Sequence, residues 1–100
     1  MDGAIRVRKA ILRGDTDTLR QIFDEVDIDT AWGSSMFTAL HYAMFLTASP
    51  HIVRFLMYLG ANPNIRNKHG KTPLHTGATY HRTSDSVSVL LSYPRVDLEI

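Results

Sequence analysis

Apolar residues along this chain recur with helical spacing rather than strand spacing. Leu19, Ile22 and Phe23, then Val53, Leu56 and Met57, then Val87, Leu90 and Leu91 occupy positions i, i+3 and i+4 of three short segments. That spacing puts three large side chains on one helix face and predicts amphipathic helices that share a core. The three segments stand 34 residues apart. The same offset carries TALHYAM at Thr38–Met44 onto TPLHTGA at Thr72–Ala78, and Ala10 precedes Ala43 by 33. The tails line up as well: VDID at Val26–Asp29, ANPN at Ala61–Asn64 and VDLE at Val96–Glu99. A unit of this length cannot bury its apolar face alone, so a period of this kind predicts stacked repeats.

Local signals fit the same units. Thr38 and Thr72 stand where a hydroxyl caps a helix start, and Pro73 takes the first helical position, where its missing N–H costs nothing. Either Asp15 or Asp17 serves as the cap of the helix carrying Leu19. Ala43, Gly77 and Ala78 are small, which lets neighbouring helices approach, at about 1 kcal/mol of helix propensity for the glycine. Between the units, NIRNKHGKT at Asn64–Thr72 and DTAWGSSMFT at Asp29–Thr38 read as turns, with Gly70 and Gly33 supplying positive φ.

FTALHYAM…HIVRFLMYLGANPNIRNKHG and KTPLHTGA…SVSVLLSYPRVDLE resemble ankyrin repeats, and IRVRKAILRGDTDTLRQIFDEVDID is similar to one that has lost its TPLH start. The resemblance covers nearly the whole chain. It implies an all-α repeat fold, an ankyrin solenoid of stacked helix-turn-helix pairs joined by β-turn fingers. On that reading residues 1–100 form one domain, with repeats at 4–30 (an N-terminal cap), 36–66 and 70–100. Both complete repeats depart from the family by one extra residue between their helices, in FLTASPH and TYHRTSD, which a surface loop tolerates. The resemblance also makes His41 and His75 structural, bonding the turn backbone and the motif threonine. It places Asn64 where ankyrin proteins can be hydroxylated.

Composition narrows the function classes. With 44% hydrophobic and 21% charged residues the chain is of ordinary globular type. Cysteine is absent, which removes disulfides, Cys-ligated zinc and thiol nucleophiles together. The most apolar stretch, Ile52–Leu59, is broken by Arg54 and falls far short of the roughly 20 residues that span a bilayer. No signal-peptide pattern opens the chain, so an intracellular protein, in cytoplasm or nucleus, is expected. Phosphate loops, serine elbows and HExxH are missing. The five histidines, His41, His51, His69, His75 and His81, give no metal-ligand spacing, because His75 and His81 fall on different helix faces. No enzyme activity, metal or cofactor is expected.

Charge is distributed unevenly around a net of +1. Asp15–Asp29 carries six acids against Arg20, whereas Thr30–Ser84 carries no acid and five cations: Arg54, Arg66, Lys68, Lys71 and Arg82. On the ankyrin reading Arg66, Asn67, Lys68, His69 and Lys71 share one finger, which points either to an acidic or phosphate-bearing partner or to a solubilising rim. Tyr42 and Phe45, with Thr76, Thr79 and Tyr80 one repeat later, lie off the core face, on the side the resemblance turns toward a concave groove. They are candidate interface anchors, although Phe45 could instead pack under the inter-helix loop. Trp32 is either an exposed anchor or a lid on the first repeat's core.

These features predict a protein–protein interaction module, part of a longer protein, that binds through groove and fingers. An alternative is the substrate-recruiting part of a larger enzyme or regulator. Nucleic-acid binding fits less well, since no aromatic stacking platform is interleaved with the cations. The third repeat keeps an interior-like apolar pattern up to residue 100, so either further repeats or another chain, self-association included, are expected against it.

Overall fold

A computed structural model describes residues 3–47, 50–81 and 85–96, with the backbone alone at 80 and 81. Six helices follow one another: α1 Gly3–Arg13, α2 Thr16–Glu25, α3 Ala39–Leu46, α4 Pro50–Tyr58, α5 Pro73–His81 and α6 Asp85–Leu91. They form three pairs, and consecutive pairs stack: α3 packs between α1 and α5, and α4 packs on α6. The stack measures 35 × 25 × 22 Å. Among the described residues the strand content is a single antiparallel bridge, Trp32 to Phe37.

Helix starts follow the cap chemistry. Asp15 caps α2, accepting from the Thr18 N–H at 3.0 Å and from its hydroxyl at 2.7 Å. Those two bonds hold the Asp15 carboxyl below its usual value. Thr38 caps α3 and is answered by His41 in place of the usual acid of a capping box.

The apolar grid forms one continuous core. Val7, Leu19, Leu40, Met44, Val53, Leu56 and Leu90 are fully buried, with Phe23, Tyr42, Phe55 and Val89 packed against them. Ala39 and Ala43 lie wholly buried between α1 and α5. A Cβ on Gly77 would collide with the Met44 methyl and press on Val87, so the glycine permits the close α3–α5 approach. Two grid positions differ from expectation. Ala78 is exposed, being turned away from α3, and Leu91 is 48% exposed. Its counterpart Met57 is covered by the following pair, and no described element lies beyond α6. The extra inter-helix residues fall largely in 48–49 and 82–84, outside the described residues.

Candidate functional site

The two fingers are tight turns held by their own backbone. In the first, Trp32 N–H donates to Phe37 O at 2.8 Å and Phe37 N–H to Trp32 O at 3.2 Å. Gly33 turns with φ 70°, and Met36, unforeseen in the sequence, also takes a left-handed φ of 56°. In the second, Asn67 N–H donates to Lys71 O at 2.8 Å, and the Asn67 amide oxygen accepts from the N–H groups of His69 and Lys71. Gly70 supplies the expected positive φ of 74°. Lys68 N–H then donates to Ser35 O at 3.0 Å, tying one finger to the next.

His41 joins finger to helix. Its Nδ1 accepts from Thr38 N–H at 3.2 Å, which leaves Nε2 as the protonated nitrogen, donating to Lys71 O at 2.8 Å. Burial pushes its pKa below the ordinary histidine value, and the Lys71 carbonyl opposes this only in part. His75 repeats the Nδ1 bonds with Thr72 at 3.2–3.3 Å, but its Nε2 meets no carbonyl among the described residues.

Beside this frame lies a cleft of about 370 Å³, lined by Ser35, Phe37, Phe45, Asn67, His69, Lys71, His75, Thr76 and Thr79. One end is aromatic: Phe37 meets Phe45 edge-on at 5.9 Å and Tyr42 at 5.2 Å, and Arg8 stands over the Tyr42 ring at 5.8 Å. The lining also includes His69 and Lys71 of the second finger. The cleft thus combines apolar surface with hydrogen-bonding side chains.

Six of the residues singled out in sequence come together in that cleft: Phe45, Asn67, His69, Lys71, Thr76 and Thr79. Phe45 is 37% exposed and lines the cleft. Thr76 is a buried part of the floor, its hydroxyl donating to Thr72 O. Asn67 shapes the finger, its amide oxygen being already committed. Arg66 and Lys68 are exposed on the finger outside the cleft, and Tyr42 is half-buried beneath Arg8. Trp32 is half-buried, packed against the core and close on Gly3. The Tyr80 side chain lies outside the described residues. Sequence reading missed Phe37 and Ser35, and it read His75, which also lines the cleft, as structural. Phe37 has no periodicity to reveal it. Asn64 donates its amide to Arg95 O at 2.7 Å, linking successive tails.

A family profile described as ankyrin repeats matches residues 7–100 in three copies. The chain belongs to the ankyrin-repeat family. Its relatives include the mouse RelA-associated inhibitor, 37% identical over 75 residues, which is 75% of this chain and 9% of that protein. A nuclear factor NF-kappa-B subunit of Drosophila melanogaster is 36% identical over 63 residues, 63% of this chain and 6% of that protein. A putative ankyrin repeat protein of fowlpox virus is 30% identical over 88 residues, 87% of this chain and 15% of that protein. The chain thus spans a small fraction of the relatives it matches. Ankyrin repeats are protein-interaction modules. No described helix is long and apolar enough to cross a membrane, and no described cluster of His, Asp or Glu is arranged to hold a metal.

Proposed function

We propose that this ankyrin array binds an acidic or phosphorylated segment of a protein partner in the cleft between its fingers and its first helices. The carrying observation is that one cleft is lined both by the aromatic Phe37 and Phe45 and by His69 and Lys71 of the second finger. Phe45 anchors an apolar side chain, Lys71 and His69 receive the anion, and Arg66 and Lys68 steer it from the rim. Thr76 and Thr79 extend the contact along α5, with Tyr42 continuing it across α3. The mouse relative's name associates that protein with RelA, which supports a protein ligand over nucleic acid. The Drosophila name, a nuclear factor, supports an intracellular setting. Affinity capture with the wild-type chain and a Lys68→Glu/Lys71→Glu variant tests the reading. Loss of the captured proteins is expected, and equal capture by both would remove the basic finger from the binding surface.

A second reading makes the array the recruiting part of a larger enzyme or regulator. It is favoured by the relatives, which are much longer proteins. Self-association through the third repeat draws support from the exposed Leu91, with Val89 and Tyr93 half-buried beside it.

A further inference from the structure

Helix α1 carries a surface that the finger cleft does not use. Its core face is Ala4, Val7, Ala10 and Ile11. Ile5, Arg8, Lys9 and Leu12 follow one another at i, i+3, i+4 and i+7, and so form a second stripe. Solvent reaches both apolar members, Ile5 at 39% and Leu12 at 61% exposure. With Leu46 from the end of α3, the four residues line a hollow of about 240 Å³. No acid occurs within α1, and neither Arg8 nor Lys9 forms an ion pair among the described residues.

We propose that this stripe docks an acidic amphipathic helix of a protein partner. Two adjacent cations flanked by apolar side chains call for anions flanked by apolar side chains, and the spacing decides their form. Ile5 and Leu12 lie about 10.5 Å apart along the axis, at 1.5 Å per residue. A helix laid alongside presents its own i and i+7 side chains at that separation, with carboxylates at i+3 and i+4 between them. In an extended strand, same-face side chains recur about every 6.6 Å, which misses the spacing. A membrane surface fits less well, because the main apolar face of α1 is spent in the core and two side chains offer little area to lipid. Arg8 also contacts Tyr42, so the stripe borders the groove without sharing a lining residue with the finger cleft.

The test titrates the isotope-labelled full chain with a synthetic helical peptide of about five turns. The peptide repeats Leu at i and i+7 with Glu at i+3 and i+4, and a control peptide has each Glu replaced by Lys. Saturable shifts are expected at Ile5, Arg8, Lys9, Leu12 and Leu46 with the acidic peptide alone. Arg8→Glu/Lys9→Glu should weaken binding about tenfold or more, since two attractive pairs become repulsive. Arg8→Gln/Lys9→Gln gives an intermediate loss and guards against a folding artefact. Lys68→Glu/Lys71→Glu should leave the titration unchanged, which separates this site from the finger cleft. Absence of saturable shifts, shifts confined to the fingers, or equal binding of the Lys peptide would overturn the proposal. So would stripe-dependent binding of phosphatidylserine vesicles without binding of the acidic peptide.

Discussion

The second and third repeats carry nearly the same motif, TALH against TPLH, yet the motif does different work in each. In the second, His41 is fully buried and bridges Thr38 to the Lys71 carbonyl of the next finger. In the third, His75 is half-buried and bonds only its own threonine among the described residues. The outer helices differ in the same direction. Leu56 and Met57 are both buried, whereas Leu90 is buried and Leu91 is not. A repeat's residues are therefore worth what the following repeat makes of them, as expected of a fold whose stability is a sum of units and nearest-neighbour interfaces.

Substitutions at paired positions sharpen this comparison, and the largest effect belongs to the core. Leu56→Ala should cost about 2–5 kcal/mol, against less than about 1 kcal/mol for Leu91→Ala, because only the first leaves a cavity. Urea denaturation of the two variants reads the difference directly. Equal losses would break the account of stacking.

The histidine pair comes next. His41→Ala removes a buried group that satisfies Thr38 and Lys71, and should cost about 1–3 kcal/mol. His75→Ala should cost less, since its Nε2 bridges nothing described. The same pair predicts a pH effect. The folded His41 pKa lies below its unfolded value of roughly 6.5, so the unfolded chain takes up a proton first as pH falls. Stability from this group is full above pH ~6.5 and is lost as pH drops toward the folded pKa. Denaturation midpoints between neutral and mildly acidic pH should fall in the wild type, and less steeply in His41→Ala. An unchanged slope would mean that His41 is not the buried neutral bridge.

The smallest effect concerns the first repeat, where Asp15→Ala deletes the α2 cap. Thermal melts should show a modest downward shift. No change would place the cap elsewhere, Asp17 being the neighbouring candidate.

Much of this was legible because repetition amplifies weak signals. The 34-residue grid located the core of the second repeat, the glycines at 33 and 70 located the finger turns, and the acid at 15 was a candidate cap. The misses share a physical cause: they depend on what lies across a gap rather than along a helix. Phe37 is one residue ahead of a capping threonine and carries no period, yet it touches His41, Tyr42 and Phe45. The cations of α1 are all exposed, but Ile5 and Leu12 are exposed among them. Leu91 has the spacing of a core position, yet no described element packs beyond α6 to cover it.

The absence of cysteine permits one decisive measurement. Thr79→Cys introduces a single thiol beside the finger cleft, and Ser88→Cys introduces one on the exposed side of α6. Each variant, labelled with the same photo-crosslinker, is exposed to the captured partner fraction and irradiated. If the cleft is the binding surface, the adduct forms from position 79 and is suppressed by adding Lys68→Glu/Lys71→Glu to that variant, whereas position 88 gives little. Adduct formation from position 88, with none from 79, would contradict the account.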